Sequence, residues 1–305
     1  MISVLTGFAV VAFAVIVGYV VGRTGILGED GQAVLGRLAF FVLNPILMFV
    51  VLSEADIGTL FSSLLPVSAL AALAVFLIYA FVARVFWKRS VGDVWMGALS
   101  AGQVNGNNMG IPISTYVLGS AAYAAPIILM QQILFTPISL AVLDGVSTGE
   151  KRWWRALGRA VRNPMIIGST VGVIVALTRL PVPEIVMEPL DFVSHAAVPV
   201  ILISFGMSLN GQRALATRGT RRDVLLATAL KLVIMPLLAY AIGLAFGLEG
   251  HALLVVVVLA TLPTAQNIFN FAQRYGVGYV IARDTVFLTT LGALPLIFLA
   301  ALILG

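Results

Sequence analysis

Cysteine is absent from all 305 residues, which excludes disulfides, thiolate metal sites and thiol nucleophiles and leaves the compartment open. Charge is scarce. Asp, Glu, Lys and Arg together make 10% of the chain, against about 25% in an average soluble domain. A soluble fold of this length could not cover its surface with so few charges. With 60% hydrophobic residues, the chain reads instead as an integral membrane protein. None of the 13 acidic residues falls in the middle of an apolar run, so coupling through a midplane carboxylate is not expected. Nucleic acid is not expected as a partner either. The pI near 9.8 comes from Lys and Arg confined to short loops, a pattern of membrane topology and not of a nucleic-acid groove. No basic segment precedes the first apolar run, Ile2–Val21, which therefore reads as a mature helix and not a cleaved signal.

A helix that crosses a bilayer needs about 20 mostly apolar residues. Ten runs qualify, at roughly 3–22, 34–52, 61–86, 92–118, 121–144, 163–179, 189–209, 223–246, 250–275 and 279–303. Sixteen of the 18 basic residues lie in, or at helix ends beside, the loops after odd-numbered runs; Arg179 and Lys231 are the others. The positive-inside rule then makes those loops cytoplasmic and puts both termini outside, on the extracellular or periplasmic face of a plasma (inner) membrane. The longest polar stretch, Asp144–Asn163, divides the chain into two five-helix halves, 1–150 and 151–305. An odd number of spans per half means that the halves are inverted. Proline landmarks recur in order: Asn44-Pro45 with Pro199, the Asn105 break with Pro263, and Pro137 with Pro295, at offsets of 154 to 158. The expected fold is thus all-α and polytopic, with ten transmembrane helices in two inverted repeats, an arrangement associated with alternating-access carriers.

Two stretches interrupt this pattern. Asn105-Gly-Asn-Asn-Met-Gly-Ile-Pro112 falls in the fourth run, and Leu262-Pro-Thr-Ala-Gln-Asn267, continuing to Asn270, falls in the ninth. Both place amides and helix breakers where a spanning helix wants Leu and Val. Broken backbone at membrane depth is tolerated only when buried in protein or lining a cavity. The expectation is two broken, crossing helices whose second halves begin near Gly110–Pro112 and Ala265–Asn267. Helix N-termini carry unpaired N–H groups and about half a positive charge, which favours a small organic anion such as a carboxylate.

The candidate substrate-binding residues are Asn105, Asn107, Asn108, Gly110, Pro112, Pro263, Thr264, Gln266, Asn267 and Asn270, with Asn44 from the second run. Their amides either contact substrate or satisfy the broken backbone, and both roles can coexist. Asn44 either gates the site or repairs the kink at Pro45. Gln131 and Gln132 are adjacent, point about 100° apart and cannot share a helix face. Lys231 lies about 12 Å into its run, where it either snorkels to the interface or serves as a counter-charge. His195 reads as a solvated histidine or a pH-sensitive gate. No cofactor and no metal site is expected.

With these residues laid out, the chain resembles the auxin efflux carrier family, including bacterial malonate-type carriers, over almost its whole length. The likeness rests on Gly18-Tyr-Val-Val-Gly-Arg-Thr-Gly-Ile-Leu27, Leu35-Gly-Arg-Leu-Ala-Phe-Phe-Val-Leu-Asn-Pro45, Asn163-Pro164, Val198-Pro-Val-Ile-Leu-Ile-Ser-Phe-Gly206 and Gly110-Ile-Pro112 with Asn105. Its most specific piece is Leu262-Pro-Thr-Ala-Gln-Asn-Ile-Phe-Asn-Phe-Ala-Gln-Arg-Tyr-Gly276. The resemblance implies the fold of the bile-acid sodium symporters. Transport helices 3–5 and 8–10 there move, elevator-fashion, against scaffold helices 1, 2, 6 and 7, and a homodimer through the scaffold is implied in the same way. Asn107, Asn108, Gln266 and Asn270 are more polar than the family's usual residues. The expected activity is secondary transport of a carboxylate or auxin-like acid, not enzymatic catalysis. The alternatives are an intramembrane enzyme, disfavoured by the lack of any nucleophile–base or metal constellation, and a non-transporting membrane sensor.

Overall fold

The computed structural model describes residues 2–28, 30–54, 63–148, 164–210, 215 and 217–305. The basic stretch 149–163 and Arg213 lie outside the described residues, as do the side chains of Gln132, Pro137, Asp144 and Asn270. Among the described residues the chain is helical, with one isolated β-bridge.

The apolar runs become helices α1 (Ile2–Thr24), α2 (Gly31–Ser53), α3 (Leu64–Val85), α4 (Val91–Gly102), α5 (Ile111–Tyr116), α6 (Ala125–Met130) and α7 (Thr136–Thr148). They continue as α8 (Pro164–Thr178), α9 (Glu184–Ser194), α10 (Ala197–Ser208), α11 (Arg221–Ala245), α12 (Gly250–Thr261), α13 (Gln266–Tyr275) and α14 (Tyr279–Leu304). Among the described residues, five helical stretches have the length and composition to cross a membrane: Gly31–Ser53, Leu64–Val85, Glu184–Met207, Arg221–Ala245 and Tyr279–Leu304. With so many membrane-length apolar helices, this is a multi-pass membrane protein.

Among the described residues four π turns punctuate the helices, at Ala39–Leu43, Gly106–Gly110, Gln131–Phe135 and Leu230–Ile234. In every case a proline follows at the second position beyond the turn: Pro45, Pro112, Pro137 and Pro236. The reason is local. Proline lacks an N–H, and its ring collides with the carbonyl four residues back. A wide turn just before it shifts the bonding ladder by one residue. Thus the Asn44 N–H reaches back to the Ala39 carbonyl, and the Met235 N–H to the Leu230 carbonyl.

The chain forms two compact units. One comprises 1–62, 107–133 and 159–211; the other comprises 63–106, 134–158 and 212–305. In the first, α1 packs along α10 and α8 along the second half of α2. Glycine permits both approaches. A Cβ on Gly18 would collide with the Ile203 backbone, and one on Gly168 with the Pro45 backbone. Small residues at helix contacts let backbones close up where no hydrophobic effect drives association. In the second unit, α4, α7, α13 and α14 share a core of Met96, Leu99, Leu143, Ala265, Ile268, Ala272 and Ala282, with Phe76 and Trp95 packed on it.

Candidate functional site

Both interrupted runs break where their sequences are most polar, but the first break is shorter than its sequence suggests. The extended residues are Gln103, Val104 and Asn105; from Gly106 the chain is already helical, through the π turn into α5. Asn107, Asn108 and Gly110 therefore sit in a wide helical turn and not in unwound backbone, and the second half-helix begins before the Gly110–Pro112 expected for it. The physical cause is Pro112, which needs the π turn ahead of it. In the ninth run the extended residues are Leu262–Ala265, and α13 begins at Gln266, within the expected window.

The two extended segments pair in the second unit as a minimal antiparallel ladder around the bridge Val104–Thr264. The Asn105 N–H donates to the Pro263 carbonyl at 2.7 Å, and the Ala265 N–H donates to the Gln103 carbonyl at 3.1 Å. Each broken helix thus supplies the partner that the other lost. The Thr264 hydroxyl donates to the Ser100 carbonyl, at the open end of α4, at 2.6 Å. In an unbroken helix the Thr264 N–H would return to the Ala260 carbonyl. It donates instead to Thr289 Oγ1 at 3.0 Å, and that hydroxyl donates on to the Thr285 carbonyl at 2.7 Å. The Ala260 carbonyl so released accepts from the Lys231 ammonium at 2.6 Å. Ser100, Thr264, Thr289 and Lys231 have no exposed surface, and Gln103 and Asn105 almost none. Buried backbone groups must be paired, so these bonds hold the break open as a defined structure.

Of the candidate residues, Asn105, Pro263, Thr264, Gln266, Asn267 and Lys231 belong to this unit, as does the backbone of Asn270. Gln266 and Asn267 are half-buried in the first turn of α13, whose N-cap, Ala265, offers no side-chain cap. Lys231 turns inward from the π turn Leu230–Ile234; its ammonium also lies 3.2 Å from Met235 Sδ and does not reach a surface.

The other candidates, Asn44, Asn107, Asn108, Gly110, Pro112, Gln131 and His195, belong to the first unit. Asn44 is buried at the π turn before Pro45, and neither its amide oxygen nor its nitrogen has a hydrogen-bond partner among the described residues. The kink is accommodated by the backbone of the turn, not by this amide. Gln131 is buried within its own π turn. His195, in the link between α9 and α10, is largely exposed, its Nδ1 being 2.8 Å from the Asp191 carbonyl and 3.6 Å from the Asp191 carboxylate.

Sequence reasoning passed over Ser100, Thr289 and Asp223. Ser100 and Thr289 complete the ladder, and a faint signal for the second exists in Thr285 and Thr289, four apart on one face of an apolar helix. Asp223 and Asp284 lie near helix ends, as their positions in the sequence suggest, yet both are fully buried. Asp223 accepts two bonds from Arg89, at 3.0 Å from Nε and 2.5 Å from Nη2, and one at 3.4 Å from the Tyr79 hydroxyl. These hydrogen bonds hold the Arg89 guanidinium above its ordinary pKa. Asp284 pairs with Arg283 and accepts from the Leu215 N–H. Among the described residues no cluster of His, Asp and Glu could hold a metal ion.

A family described as "Membrane transport protein" matches the chain over residues 3–152 and 146–300. The chain belongs to this family, that of the auxin efflux carriers. Within the family it is 28% identical to an uncharacterized transporter of Methanothermobacter thermautotrophicus, over 91% of this chain and 90% of that protein. It is 27% identical to a Rhizobium meliloti protein named "Putative malonate transporter", over 94% and 92% of the two chains. Auxin efflux carrier component 4 of Arabidopsis thaliana is 29% identical over 156 residues, half of this chain and a quarter of that protein. These relatives are named as transporters, and the chain is a membrane transport protein of the same family.

Proposed function

We propose that this protein is a secondary carrier of a small organic anion, a carboxylate or an auxin-like aromatic acid, and not an enzyme. The observation that carries this reading is the Val104–Thr264 crossover, where two helices stop and exchange backbone bonds inside a membrane protein. Backbone broken at membrane depth is costly, and carriers use it to present helix ends and amides to a solute. Asn105, Gln266 and Asn267 stand at this crossover, and the uncapped first turn of α13 favours negative charge. The names of the malonate and auxin relatives agree with an anionic substrate.

In this reading the chain crosses the inner membrane ten times as two inverted halves, with both termini outside. The crossover-bearing helices move, elevator-fashion, to expose the site alternately. Asn44, Asn107, Asn108, Gly110, Pro112, Gln131 and His195 remain candidates for substrate contact or gating, and a homodimer through the scaffold helices is part of the same proposal.

The test is uptake of radiolabelled malonate and indole-3-acetate into proteoliposomes by wild type, Asn105→Ala and Asn267→Ala at matched protein content. Uptake of either probe by wild type, lost in both variants while each keeps its thermal transition, supports the site. Wild-type rates in both variants sink it.

A further inference from the structure

Lys231 is the one lysine or arginine that the sequence places well inside a span, and the structure buries it completely without a carboxylate. Among the described residues no acidic group lies within ion-pair distance of its ammonium; the buried carboxylates of this unit, Asp223 and Asp284, are held by Arg89 and Arg283. Its oxygen partner is the Ala260 carbonyl, one of the groups released where α12 breaks. The C-terminal end of a helix carries about half a negative charge. In carriers with broken helices, such carbonyl ends coordinate the coupling cation. The other broken end in this unit, the Ser100 carbonyl of α4, is capped by the neutral Thr264 hydroxyl. The two ends are therefore treated differently, one meeting a neutral hydroxyl and the other the side-chain nitrogen of a lysine.

The geometry points to Lys231 as a tethered cation, its ammonium occupying a carbonyl site at the broken end of α12 where a dissolved cation would otherwise bind. Resting on the transport reading above, this makes uptake independent of sodium. Stability alone gives no reason for the residue. A buried ammonium loses its hydration, and an apolar side chain of similar volume is usually no worse for folding. The π turn that carries Lys231 is itself a departure from regular helix of the kind found at functional positions, and it aims the side chain at Ala260.

The full chain, purified in detergent, tests the site without reference to substrate. Thermal unfolding of wild type and Lys231→Ala is compared in sodium, choline and methylammonium chloride at equal ionic strength. Wild type should respond alike to all three. Lys231→Ala should unfold at a lower temperature and regain part of the loss as methylammonium, small enough for the vacated space, is raised; choline should not act. Equal responses of the variant to methylammonium and choline overturn the cation site. In proteoliposomes, wild-type uptake of malonate or indole-3-acetate should survive replacement of sodium by choline. Lys231→Gln, which donates a hydrogen bond without charge, should lose uptake at least tenfold, and wild-type uptake by it overturns the need for charge even if Lys231→Ala does not fold. If wild type takes up neither probe, the transport reading fails, and the unfolding comparison still decides the cation site.

Discussion

The Thr264 hydroxyl donates to the Ser100 carbonyl at 2.6 Å across 164 positions of sequence, joining the open end of one broken helix to the extended segment of the other. Both residues are fully buried, so this carbonyl has no access to water as an alternative partner. The polar chemistry of the crossover is thus partly structural: hydroxyls and backbone groups close the break.

Thr264→Val keeps the shape of the side chain and removes the donor. Leaving the Ser100 carbonyl unsatisfied should cost about 1–3 kcal/mol. Thr264→Ser should restore most of it. Thermal unfolding of the two variants separates the hydroxyl from the methyl, and equal stability of Thr264→Val and wild type would mean that the bond contributes nothing.

Thr289→Val removes the acceptor of the Thr264 N–H, a backbone donor that has already left its own helix. A comparable loss of about 1–3 kcal/mol is expected. Hydrogen exchange provides the sharper measurement: the Thr264 and Ala265 amides should lose protection while the middle of α3 keeps it.

Arg89→Met leaves the buried Asp223 carboxylate without its cation. The expected cost is about 3 kcal/mol, the lower end for orphaning a buried charge, because the Arg89 side chain is 32% exposed. Arg89→Met combined with Asp223→Leu should recover much of this. Since the folded-state pKa of Arg89 is raised, its contribution is complete below the ordinary arginine value and is lost only as pH rises through the folded one. The coupling measured at about pH 6 and about pH 9 should therefore agree.

Gly276 and Gly278 flank the turn between α13 and α14 at φ +66° and +58°. Gly276→Ala meets only backbone strain, about 1–2 kcal/mol for a left-handed residue with a Cβ. Gly278→Ala adds a Cβ 2.6 Å from that of Met96 in the core and should be clearly worse. Unfolding midpoints that rank the other way would contradict this packing.

Much of this protein is determined by sequence alone, because the forces concerned are local. Scarce charge and long apolar runs specify a membrane protein, and the helices form on those runs. Asn105 and Pro263 mark the two breaks, since proline and closely spaced amides destabilise the helix in which they stand. The π turns are equally local: the need of Pro112 for a wide turn ahead of it shortens the first break to Gln103–Asn105 and draws Asn107 and Asn108 back into helix.

Tertiary structure alone decided which group satisfies which carbonyl. Ser100 waits on Thr264, Thr264 on Thr289, and Ala260 on Lys231, with separations of 164, 25 and 29 residues. No propensity or period encodes such pairings. A carbonyl released by a break must be bonded, but the sequence does not say by what, and only packing brings a hydroxyl to one broken end and an ammonium to the other.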